Sequence, residues 1–178
     1  MKPHAEKLSA LHACRDGLAF AETYDTWQAC WDAIPRGDWS LWLLGKLAGP
    51  PDSESRRKLV GVCSLITREV LPIFERRFPN DKRVRTCLDV LDRYAVGKAT
   101  MAEVLKARSA ACAAACAASC AACAASCAVC AASCAACAAT YADGAASCAA
   151  YAACARKMIR QKSADIVRQH YPTAPELP

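Results

Sequence analysis

Eight of the chain's fourteen cysteines fall between Ala110 and Thr140: Cys112, Cys116, Cys120, Cys123, Cys127, Cys130, Cys134 and Cys137. From Cys116 onward the steps alternate four and three, which places the thiols on one helix face at both seam positions of a heptad. Thiols so arranged have three uses. As thiolates they bind soft metals. Cu(I) accepts two or three thiolates, so pairs such as Cys116/Cys120 and Cys123/Cys127 could each hold an ion from one helix. A closed Zn(II) site needs four ligands, hence a second helix. As neutral thiols they are small hydrophobes, and a Cys/Ala seam lets another helix, or another copy, approach closely. Disulfides fit worst, because helical side-chain directions suit a bridge poorly at this spacing. Helix contact alone explains the pattern, whereas metal binding needs the same geometry plus access. Packing is therefore the preferred reading and a Cu(I) or Zn site the alternative.

The element that carries these thiols has no charge, no Gly and no Pro. Ala dominates it and has the best helix propensity. Thr100-Met101-Ala102-Glu103 has the spacing of a capping box, which starts the helix near Met101. An unbroken helix from there to Thr140 would be about 60 Å long. The step Cys112–Cys116–Cys120 resembles a stutter before the strict heptad. Asp143-Gly144 is the weak point, where a turn would return Ala145 to Gln169 as a second helix. The phase kept through Tyr141, Cys148, Tyr151 and Met158 argues for continuity, and the size of the chain for a break or kink.

The preceding residues read as short helices. Residues 4–24 hold one or two, with Ala5, Leu8, Leu11 and His12 on one face; His4 and His12, eight apart, read as boundary residues rather than metal ligands. Asp25-Thr26-Trp27-Gln28 has capping-box spacing, with Asp25 as the cap, and opens a helix to about Ile34; Pro35-Arg36-Gly37 turns, and Asp38 caps Trp39 to Ala48. Trp27, Trp31, Trp39 and Trp42 are expected to form an aromatic core, with a ligand cage as the lesser reading. After Gly49-Pro50-Pro51, Ser53 or Ser55 caps a helix with Leu59, Val62, Cys63 and Ile66 inward, ending before Pro72. Val84, Cys87, Leu88, Leu91 and Tyr94 form a further apolar stripe closed by Gly97. Cys14, Cys30, Cys63 and Cys87 lie roughly one per helical segment and could meet the seam.

A net charge of +6 permits an acidic partner without demanding nucleic acid. The basic corner of Arg76, Arg77, Lys82, Arg83 and Arg85 reads as a solvated face. The N-terminus lacks the apolar core of a signal peptide, and fourteen cysteines without one suggest a reducing cytoplasm. The long uncharged run is formally a membrane candidate but is poor in the Leu, Ile and Phe that drive insertion. No His–Cys pairing and no phosphate-binding Gly loop points to an enzyme.

The stretch Leu71-Pro72-Ile73-Phe74-Glu75-Arg76-Arg77-Phe78-Pro79-Asn80-Asp81-Lys82-Arg83, with Tyr94, Gly97, Thr100, Glu103, Ala107 and Arg108 after it, resembles the alanine-rich helical family of bacteria and phages labelled "putative immunity proteins". Trp31 to Leu43 is similar to the front half of phage members. The resemblance spans about residues 10–170 and implies neutralisation of a toxin by binding. Members commonly carry Tyr, His, Asp or Ala where this chain has Cys. The expectation is an all-α protein: a Trp-rich cluster of short helices over 1–98, packed against a long Ala/Cys-rich helix or hairpin over 99–170, then a tail over 171–178. Its expected role is non-enzymatic and immunity-like, occluding an unidentified protein partner.

Overall fold

The helix over Glu54–Arg68 contacts four of the other described helices. The computed structural model describes residues 1–118, 130–132, 134–139, 151 and 159–178. Among these the chain is all-α, without a strand. The helices are α1 (Pro3–Ala10), α2 (Arg15–Ala21), α3 (Trp27–Ala33), α4 (Gly37–Leu47), α5 (Glu54–Arg68), α6 (Leu71–Arg77), α7 (Arg83–Ala95), α8 (Met101–Ala118) and α9 (Ile159–His170). Residues 130–132 and 134–137 are helical as well.

The expected stripes are the buried ones. Leu59, Val62, Cys63 and Ile66 of α5 face Val84, Cys87, Leu88, Leu91 and Tyr94 of α7, all at most 1% exposed. α4 and α9 pack on α5 as well, and α8 lies along α7. Local signals set the helix ends. Ser53 Oγ accepts from the Arg56 amide and caps α5. Thr100 and Glu103 form a reciprocal capping box at the start of α8. Gly97, at φ 74°, ends α7 with the Lys98 amide donating to the Arg93 carbonyl, a Schellman motif. Two ends differ from expectation. Thr26, not Asp25, caps α3. α4 starts at Gly37, and the Asp38 carboxylate serves Arg36 instead of a cap.

The long helix needs a larger correction. Burial raises the pKa of the Cys137 thiol, and Cys112 of α8 adds to the rise. In one straight helix those residues would stand about 37 Å apart, far beyond electrostatic reach. The Ala131 and Ala138 carbonyls also lie beside α5, at 3.4 Å from Thr67 Oγ1 and 3.5 Å from Arg56 Nη1. The segment therefore runs alongside α5 and α8 rather than extending α8, and a single helix from Met101 to Thr140 is ruled out. The expected break at Asp143-Gly144 lies outside the described residues.

Among the described residues of the Ala/Cys run, the fully buried ones are alanines. Ala107, Ala111 and Ala114 of α8 are buried, as are Ala131, Ala132, Ala135, Ala136, Ala138 and Ala139. Cys112, Cys130, Cys134 and Cys137 are only half-buried. Alanine makes the close helix contact, within this chain, and these four thiols flank it. No helix among the described residues is long and apolar enough to cross a membrane.

The C-terminal segment is not a loose tail. Trp31 Nε1 donates to the Tyr171 carbonyl at 2.8 Å and Trp27 Nε1 to that of Pro175 at 2.7 Å. The last residues thus cross α3 and tie the N-terminal helices to α9.

Candidate functional site

The thiols come first, because their spacing suggested chemistry. Cys112 sits on α8 and Cys130, Cys134 and Cys137 on the segment beside it. Cys116 lies in α8, while Cys120, Cys123 and Cys127 lie outside the described residues. The structure brings Cys87 of α7 into this group. Burial pushes its pKa up to about 12, with Cys112 and Cys137 contributing. Arg108 opposes the rise at Cys137 and hydrogen-bonds it. Cys87, Cys112 and Cys137 thus come within electrostatic reach of one another, with Arg108 on Cys137. Among the described residues no group of three or more His, Cys, Asp or Glu could hold a metal ion.

The tryptophans make the more distinctive site. Only Trp31 is fully buried, at 1% exposure. Trp27, Trp39 and Trp42 are half-buried and line a cleft of about 420 Å³ between α1, α2, α3 and α4. The three pack against the core as expected and in addition expose one side to this cleft. Phe20 of α2 sits 5.7 Å from the Trp39 ring, and Leu8, Ile34 and Leu43 complete an apolar wall. The volume falls in the range of ligand-binding clefts, whose linings are mainly apolar with a few placed polar groups.

Those polar groups are held by their neighbours. Arg36 donates to both Asp38 oxygens, at 3.1 and 2.6 Å, and lies 4.9 Å from the Trp39 ring centroid. The Asp38 hydrogen bonds raise the pKa of Arg36. The pair is internally neutralised, so it shapes the lip without offering a free charge. Cys30 lies in the floor, its pKa pushed up to about 11 by burial. Cys14 is exposed at the mouth.

His12 lines the same cleft in an uncommon backbone state. Its φ is 65°, in the left-handed region. The cause is the end of α1. The His12 amide donates to the Ser9 carbonyl and the Ala13 amide to that of Leu8, the Schellman pattern that α7 completes with Gly97. His4, by contrast, is buried, and its Nε2 donates to the Ala21 carbonyl at 2.9 Å. The two histidines do not share a site. Sequence reasoning grouped the four tryptophans, preferring a core to a cage, and missed that His12 and Arg36 line the same cleft. The available signal was Leu11-His12-Ala13 just past a short helix, without Gly to take the left-handed position.

The basic corner is partly consumed by ion pairs. Arg85 binds Glu75 at 2.7 Å and Arg83 binds Asp81 at 2.6 Å.

Comparison with known proteins divides the chain in the same way. A family model described as "Imm-5 like putative immunity protein" matches residues 50–173. No curated protein and no solved structure matches the chain. The matched segment contains α5 to α9, whereas the residues lining the cleft, 8–43, precede it.

Proposed function

The chain belongs to the family described as "Imm-5 like putative immunity protein", and from that premise we propose that it is a non-enzymatic protein that neutralises a protein partner by binding it. The observation that carries the reading is the aromatic cleft between α1 and α4. Half-exposed Trp rings around an apolar well are the composition of interface hot spots, where one inserted side chain supplies much of the binding energy. The closed Arg36–Asp38 pair favours an apolar or aromatic anchor over a charged one, because a charged group would have to break it.

The position of the cleft fits a division of labour. Residues 50–173 supply the matched family scaffold, and the helices before them supply the cleft. Specificity for one partner then rests on Trp39, Trp42 and the His12 lip. The net charge of +6 adds attraction toward an acidic partner and speeds encounter without deciding which residues lock.

The test is functional. The chain is co-expressed with each member of a panel of toxic proteins, and growth rescue is scored. The expected result is rescue against a specific toxin, lost in a folded Trp39→Ala/Trp42→Ala variant. Rescue that survives both substitutions would place binding elsewhere on the molecule.

A further inference from the structure

The C-terminal segment presents prolines at Pro172, Pro175 and Pro178, every third residue. Three residues make one turn of a polyproline II helix, so the spacing sets them along one edge of such a helix. The structure shows what that segment rests on. Trp27 Nε1 donates to the Pro175 carbonyl and Trp31 Nε1 to that of Tyr171, at 2.7 and 2.8 Å. The two indoles stand four residues apart on α3, and the carbonyls four residues apart on the segment. Gln28 between them clamps from both ends of its amide. Its Nε2 donates to the Pro172 carbonyl at 3.1 Å and its Oε1 accepts from the Ala174 amide at 2.8 Å. Lys7 of α1 donates to the Leu177 carbonyl at 2.9 Å.

Each of these polar contacts goes to the backbone of the segment. Donors on a Trp-bearing surface meeting the carbonyls of proline-spaced peptide is the way aromatic grooves read proline-rich ligands. None of residues 172–178 is fully buried, and Gln28 and Lys7 are exposed. Ala174 and Leu177 pack against the core, and the rest of the hold is hydrogen bonds that water or another peptide can replace. The receptor residues lie before the family-matched segment, and Ala174 to Pro178 lie after it.

We infer that the α1/α3 surface is a binding site for proline-spaced extended peptides, with the chain's own residues 172–178 as its resident ligand. A partner segment of the same spacing binds by displacing that ligand. Trp27 also lines the aromatic cleft, so its ring touches both surfaces. The inference stands on the hydrogen bonds of α1 and α3 and does not require the cleft to bind a toxin.

The experiment uses the full chain. Ala174→Pro removes the amide that Gln28 accepts and so loosens the resident segment. A fluorescently labelled peptide of residues 171–178 is then titrated by anisotropy. Saturable binding to the Ala174→Pro chain is expected. Wild type should bind at least about tenfold more weakly, because its own segment competes at high effective concentration. Adding Trp27→Phe to the Ala174→Pro chain should weaken binding by roughly fivefold or more, the loss of one indole donor. Absence of saturable binding, or equal binding to wild type and variant, would overturn the inference. Amide exchange on the wild type gives an independent reading should the variant fold poorly. The Ala174 amide must exchange far faster than those of α9; exchange only through global unfolding would make the segment a fixed part of the fold and refute its role as a ligand.

Discussion

Gly37 packs directly on Ser163: a Cβ added to Gly37 would stand 2.4 Å from the Ser163 Cβ and 2.8 Å from its carbonyl carbon. This contact seats α4, which carries Trp39 and Trp42, against α9. Gly37→Ala would gain up to about 1 kcal/mol of helix propensity. Overpacking against backbone costs about 3 kcal/mol and outweighs it. The expected outcome is a net loss of about 2 kcal/mol in urea unfolding. An unchanged midpoint would mean that α4 and α9 are not so closely apposed.

His12 and Gly97 hold the same position in two Schellman motifs, but only Gly97 lacks a side chain to strain. His12→Gly should therefore stabilise the fold by about 0.5–1 kcal/mol. Gly97→Ala should cost about 1 kcal/mol, its new Cβ also meeting Arg57 Nη1 at 2.8 Å. If His12 contributes to the partner-binding lip, His12→Gly should weaken binding while raising stability. Denaturation and binding measured on the same preparation separate the two effects.

Cys30 and Cys87 give the stability a pH dependence whose sign follows from burial. Their folded pKa values are raised to about 11 and about 12, from 9.0. Below pH 9 both states hold the proton and neither thiol changes the balance. Above it the unfolded chain loses the proton first. Stability should fall between pH 9 and about 11 to 12, by about 1.4 kcal/mol per pH unit for each thiol. A Cys30→Ala/Cys87→Ala chain should show a shallower decline over that window. Identical slopes would assign the loss to other groups.

The alanine face predicts an asymmetry along residues 134–136. Ala135 is fully buried and Cys134 only half-buried. Ala135→Leu should cost about 1–3 kcal/mol through overpacking. Cys134→Ser should stay within about 0.5 kcal/mol, as a surface change does. The reverse order would restore the cysteines as the contact face.

Much of the scaffold was legible in the sequence because it rests on local rules. Caps at Ser53 and Thr100, the Gly97 stop and the stripes of α5 and α7 each occupy one helix and need no tertiary information. The Ala/Cys run was harder to read. Ala and Cys are both small and apolar, so hydrophobic periodicity could not separate the buried alanines from the flanking thiols. A run without Gly, Pro or charge also gives no sign of where the chain turns back, although Cys112 and Cys137 end up on neighbouring helices. The cleft was legible only as the lesser reading of the Trp cluster, for a different reason. Whether Trp39 is core or cleft wall depends on where α2 and α4 stand, which is a matter of tertiary packing such as that of Gly37 on Ser163. Pro172 to Pro178 read as a tail because their partners, Lys7, Trp27 and Gln28, are more than 140 residues away.

Partner binding through the cleft is tested most directly by calorimetric titration of the toxin selected by growth rescue. Wild-type chain should bind it with a single-site isotherm. Trp39→Ala should weaken that affinity by at least about 2 kcal/mol, roughly thirtyfold, as expected of an aromatic hot spot. The variant's helical content should remain that of wild type. Equal affinity for wild type and folded Trp39→Ala would contradict the account, because the cleft would then play no part in recognition.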